Sequence, residues 1–124
     1  MIKFSKWIFL GFLLMLPIMS AQAYQYVSAQ RFLTMCKQPA KMNVCRAYIS
    51  GVIDDTFSYY SFNNHHDLRV FAKNMRSWDA EKLRVSLLKW VVQNPKMAND
   101  KNAANMINQF LYSMYIKPSV SPCA

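Results

Sequence analysis

The sequence predicts an all-α fold: a compact bundle of about four to five helices stabilised by at least one disulfide. Three observations carry that expectation. Apolar residues recur at spacings of three and four after residue 24, which places them on one face of a helix, and no segment pair shows the two-residue alternation of half-buried strands. The 124 residues include only 2 glycines, which excludes the glycine-hinged phosphate loops of Rossmann and P-loop enzymes. Hydrophobic residues make up 53%, enough for one packed core and too many for a disordered chain.

Residues 1–23 read as a secretory signal. Lys3 and Lys6 precede an apolar run at residues 7–19, and Ala21-Gln22-Ala23 supplies the small-residue cleavage site. The run is broken by Pro17 and falls short of the roughly 20 residues that span a bilayer. The expectation is therefore a cleaved leader, a single mature domain at residues 24–124, export to a bacterial periplasm and no stable membrane insertion.

The mature elements follow in order. Ser28 caps a short helix from Ala29 to about Lys37, with Phe32, Leu33 and Met35 as its apolar contacts, and a turn through Gln38, Pro39, Ala40 and Lys41 ends it. The next helix runs from Met42 or Asn43 to Tyr60, with Cys45, Tyr48, Ile49, Val52, Ile53, Phe57 and Tyr60 on one broad buried stripe. Gly51 falls inside that stripe and costs about 1 kcal/mol relative to Ala; it is either tolerated or marks another helix crossing closely. From residue 61 to 77 the periodicity weakens. Asn63, Asn64, His65 and His66 read as a loop, and Asp67 caps a short helical turn through Phe71. Ser77 or Asp79 opens a third long helix carrying Ala80, Leu83, Leu87, Leu88 and Val91 up to Asn94-Pro95. A last helix begins near Asn99, lines up Ala103, Met106, Ile107, Phe110, Leu111 and Met114, and dissolves before Pro118 and Pro122.

Cysteines add covalent support to a domain this small. Cys36 ends the first helix and Cys45 begins the second, so a hairpin brings both to one corner. Closing that ring constrains the unfolded chain by about 2.7 kcal/mol, against about 4.5 kcal/mol for the longer ring of Cys45 with Cys123. Entropy alone does not choose between them; local geometry favours Cys36 with Cys45 and leaves Cys123 odd.

The formal charge is +9, and loss of Lys3 and Lys6 with the leader keeps the chain strongly basic. Export makes nucleic acid an improbable partner class, and the basic residues are scattered, so the cations read as a solvated surface or as the complement of an acidic protein. No enzyme, metal or cofactor signature emerges. His65 and His66 are adjacent and diverge on a regular element. Asp54 and Asp55 are adjacent and do not flank a bond from opposite sides. Met and aromatic residues at helical spacing read as core. Tyr59, Tyr60 and Phe62 gather at the end of the second helix as candidate binding anchors.

One ordered set of motifs resembles a known family. The run Phe32-Leu33-Thr34-Met35-Cys36 followed by Cys45-Arg46-Ala47-Tyr48-Ile49-Ser50-Gly51-Val52-Ile53-Asp54 resembles the C…CxxYIxGVxD core of the Rap/Tai immunity proteins, periplasmic inhibitors of type VI secretion amidase effectors. Leu87-Leu88-Lys89-Trp90-Val91-Val92-Gln93-Asn94-Pro95 is similar to that family's proline-ended helix, and Pro122-Cys123 to its closing Pro-Cys. The resemblance implies a small helical, disulfide-supported protein, often a homodimer, that blocks the cleft of a peptidoglycan amidase and turns nothing over itself. Residues 57–78 hold no cysteine, where members of the family commonly carry one.

Inhibition of that kind needs a preorganised projection that enters a cleft. The first candidate is the connection of Pro95, Lys96, Met97, Ala98, Asn99, Asp100 and Lys101, stiffened by the proline. The second runs from Asn63, Asn64 and His65 to Arg69. The alternative from a different class is a small periplasmic acid-stress chaperone, which needs many groups titrating at low pH; 6 Asp+Glu and 2 His are available.

Overall fold

The computed structural model describes residues 26–117. The expected leader at residues 1–23, and Pro118, Pro122 and Cys123, lie outside the described residues. Among the described residues five helices build an all-α domain: α1 (Ala29–Cys36), α2 (Met42–Asn63), α3 (His65–Met75), α4 (Ala80–Gln93) and α5 (Ala103–Leu111). Short 3-10 turns, Pro39–Lys41 and Pro95–Asn99, join α1 to α2 and α4 to α5, and a π-helical turn, Tyr112–Ile116, extends α5.

Local chemistry sets most of the ends. The Ser28 hydroxyl accepts the Arg31 N–H at 3.2 Å and so starts α1, and Asp79 accepts the Lys82 N–H at 2.9 Å to start α4. Phe32 and Leu33 of α1, Ile49 and Val52 of α2, and Leu83, Leu87, Trp90 and Val91 of α4 meet Met106, Ile107, Phe110 and Leu111 of α5 in one core. Tyr48, Ile53, Phe57 and Tyr60 pack partly buried against it, so the stripe read on α2 is the face that turns inward. Cys36 and Cys45 form the expected disulfide, with Cα atoms 5.1 Å apart and both residues fully buried.

Several expectations need correction. The segment read as a loop at Asn63, Asn64, His65 and His66 is a helix-to-helix junction: α2 runs on through Asn63, and Asn64 alone leaves helical geometry, with φ −154° and ψ 92°. Its side chain accepts the Asp67 N–H at 3.1 Å and donates to Asp67 Oδ2 at 3.0 Å, so Asn64 rather than Asp67 is the cap. His65 and His66 therefore form the first turn of an eleven-residue helix that reaches Met75. Gly51 is exposed, and a Cβ built on it meets nothing within 4 Å, so no helix crosses there. The last helix begins at Ala103 instead of Asn99, because Asn102 is its cap and accepts the Ala104 N–H at 2.9 Å. Met114 is 47% exposed. The π turn closes with Lys117 N–H on Tyr112 O at 2.8 Å, and the extra residue in that turn swings the adjacent pair Tyr115 and Ile116 inward. Asn74 of α3 fixes the turn by donating to Tyr115 O at 2.6 Å.

Candidate functional site

The connection after α4 is built as a braced corner. Pro95 starts its 3-10 turn with a fixed φ. Met97 and Ala98 are partly buried against the core, so Met97 anchors the turn and does not project from it. Beyond them, Asp100 O accepts the Ala29 N–H at 3.0 Å and Val27 O accepts the Ala103 N–H at 2.7 Å, tying the end of the connection and the first residue of α5 to the segment that starts α1. Asp100 Oδ1 holds the Asn102 N–H at 2.9 Å, so Asp100 serves the turn instead of facing outward. Pro95, Lys96, Asn99 and Lys101 remain exposed. Ser28, Gln30, Ala98, Asn99, Asp100 and Lys101 line a shallow depression of about 270 Å³ beside them. The result is a braced corner that exposes Lys96 and Lys101.

The second predicted segment is placed elsewhere. Asn63, Asn64, His65 and Arg69 are exposed, but they sit on the α2–α3 junction, and α3 packs on α2 and on the π turn, whereas the 3-10 turn Pro95–Asn99 packs on α1 and α4. The two candidate segments thus have separate supports. Asp67, within the second segment, is buried and occupied by its bonds to Asn64.

Three surfaces escaped the sequence reading wholly or in part. An aromatic patch at the end of α2 carries Tyr59, 61% exposed, and Phe62, 85% exposed, and Tyr112 of the π turn is 39% exposed. Burial and the nearby Asp67 carboxylate push the Tyr60 hydroxyl up. Beside the patch, Asp55, Thr56, Tyr59, Tyr60 and Asn108 line a cavity of about 260 Å³, in which the Thr56 hydroxyl donates to Val52 O at 2.8 Å and lies 3.1 Å from Asn108 Oδ1. A second groove of about 340 Å³ between α2, α3 and α4 has Ile53, Phe57, Met75, Trp78 and Leu83 as its apolar lining and Asp54, Arg76 and Asp79 among its polar residues. Asp54 and Asp55 therefore face different hollows, in keeping with their adjacency on one helix.

The third surface is an ion cluster at the disulfide corner. Glu81 accepts from Arg84 at 2.6 and 2.9 Å and from Arg46 at 2.8 Å, and Arg84 also donates to Cys36 O at 3.0 Å. Hydrogen bonds from the two guanidiniums hold the Glu81 carboxyl down at about 2. The Glu81–Arg84 spacing is visible in the sequence; the Arg46 link across 35 positions is not. Among the described residues no group of three His, Cys, Asp or Glu is arranged for a metal ion, and no helix is long and apolar enough to cross a membrane.

Comparison with family models, with curated proteins and with solved structures gives no match.

Proposed function

We propose that this protein is a periplasmic immunity-type inhibitor that binds a peptidoglycan amidase effector and occludes its active-site cleft with residues 95–101. The observation that supports the reading best is the bracing of that connection. Met97 and Ala98 anchor it in the core, the Ala29 N–H of α1 holds Asp100 O, the Val27 carbonyl holds the Ala103 N–H just beyond it, and Lys96, Asn99 and Lys101 stay exposed. A projection ordered before binding loses little conformational freedom on entering a cleft, so more of its contact energy appears as affinity. The all-α scaffold and the buried Cys36–Cys45 link agree with the motif resemblance, and a disulfide suits an oxidising compartment.

The test uses the mature chain and a purified amidase encoded in the adjacent reading frame. Stoichiometric loss of peptidoglycan hydrolysis is expected. The variant Lys96→Asp/Lys101→Asp should inhibit at least tenfold more weakly with unchanged helical content, about 1.4 kcal/mol or more. Full inhibition by that variant removes the assignment to residues 95–101, and no complex with the wild-type chain removes the reading itself.

A further inference from the structure

The outer face of α4 holds residues that neither the core nor helix formation explains. Lys82, Val85, Lys89 and Val92 recur at spacings of three, four and three and are all exposed, so they form one line about 15 Å long on the helix surface. Val92 is 80% and Val85 39% exposed. A β-branched residue lowers helix propensity, and an exposed one gains little from burial in return. The opposite face of the same helix buries Leu83, Leu87, Trp90 and Val91, so the line is additional to the packing stripe. Its charge is uncompensated: among the described residues Lys89 and Lys96 enter no ion pair, and Lys82 donates only to Ser77 O at 3.3 Å. The acid within α4, Glu81, is held by Arg46 and Arg84, and Asp79 is spent on the helix cap. Three residues beyond Val92 the chain enters Pro95, followed by the exposed Lys96.

We propose that this Lys–Val face docks a protein surface in which a small apolar patch is ringed by carboxylates, and that it forms the flank of the effector contact beside the cleft-closing corner. The inference rests on the inhibitor reading above. Charge complementarity favours an acidic partner: the lysines govern the encounter rate, and the valines, once desolvated between them, govern residence. A bilayer is the poorer fit, because an interfacial helix buries Trp, Phe or Leu below the headgroups and this face has only two valines.

Binding kinetics of the mature chain with the amidase, measured at low and high salt, test the proposal. Lys82→Glu/Lys89→Glu should slow association about tenfold at low salt, with the difference shrinking at high salt. Val85→Ala/Val92→Ala should speed dissociation about tenfold, and because alanine raises helix propensity, loss of fold does not account for that result. If both double variants bind as the wild type does while Lys96→Asp/Lys101→Asp binds weakly, the α4 face is not part of the contact although the inhibitor reading stands. If the wild-type chain binds no amidase, both fall. A third arm uses phosphatidylglycerol vesicles: binding that Lys82→Glu/Lys89→Glu abolishes, with amidase kinetics unchanged, assigns the face to a membrane and overturns the proposal.

Discussion

Removing the Cys36–Cys45 link should lower stability by an amount the structure allows to be worked out. Both cysteines are fully buried at the corner of α1 and α2, so Cys36→Ala/Cys45→Ala leaves small apolar side chains in an apolar site and mainly deletes the cross-link. The link joins positions separated by 9 in sequence, and closing a ring of that size in the unfolded chain corresponds to about 2.7 kcal/mol. For a domain of this size each kcal/mol moves Tm by roughly 4 to 8 °C, giving an expected fall of roughly 11 to 22 °C. Far-ultraviolet circular dichroism of the oxidised chain, the chain under reductant and the double variant supplies the measurement. The variant should melt at the same low temperature with and without reductant, and its denaturant m-value should rise, because an unlinked unfolded chain exposes more surface. A fall below about 3 °C would refute the reasoning, since it would mean that the unfolded chain is not constrained by this ring.

Three further outcomes follow from single sites. Gly51→Ala should stabilise the protein by about 0.5 to 1 kcal/mol in chemical denaturation, since the site is helical, exposed and open to a Cβ; a loss of stability would show that the α2 surface requires the glycine. Glu81 has a folded pKa of about 2, below its ordinary 4.5, so its contribution is complete above about pH 4.5 and is lost as pH falls toward 2. Glu81→Gln should therefore melt lower at neutral pH and show a shallower acid dependence of Tm across that window; an unchanged acid profile contradicts the assignment. Tyr115 is buried, its hydroxyl makes no hydrogen bond of full geometry among the described residues, and burial pushes that hydroxyl up, opposed in smaller part by a weak approach of Ser86. Tyr115→Phe should be neutral or stabilising by up to about 1 kcal/mol, and destabilisation beyond that amount would reveal a satisfied hydroxyl.

Where local chemistry decides the structure, the residues announced it. Ser28 and Asp79 cap the helices they were expected to cap, and Cys36 and Cys45 meet because a hairpin leaves them no other corner. The α3 helix was harder to read. Asn63, Asn64, His65 and His66 are poor helix formers as a group, yet a single extended residue, Asn64, suffices to separate two helices and cap the second. Phe71 and Met75, four apart, already carried the helical period. Met114 was placed inward because a 3.6-residue wheel assumes an unbroken α-helix, and the π turn inserts one residue that no periodicity encodes. Of the candidate site, the connection after α4 and its exposed lysines were legible from Pro95 and the run of polar residues. Its rigidity was not, because the groups that hold it, the carbonyl of Val27 and the N–H of Ala29, lie far away in sequence, just before and at the start of the first helix.

That distant bracing makes α1 the strap on which the corner depends, and hydrogen exchange can expose the dependence. At its C-terminal end α1 is joined to α2 by the disulfide, and Cys36 O accepts from Arg84 of α4. At its N-terminal end the Ala29 N–H and the Val27 carbonyl hold Asp100 and Ala103. A helix of 8 residues is too short to be stable alone, so α1 persists because both of its ends are fixed. Releasing one end by Cys36→Ala/Cys45→Ala should favour local opening of α1 as a unit, and every hydrogen bond that requires α1 in place should open with it. The amide protons of Ala29 and Ala103 should then lose protection by a common factor, while those of Leu87 and Val91 within α4 lose protection only to the extent that global stability falls. Retained protection at Ala103 in the unlinked variant would show that the corner is held by Met97 and Ala98 alone. In that case the rigidity of the corner would be independent of the disulfide.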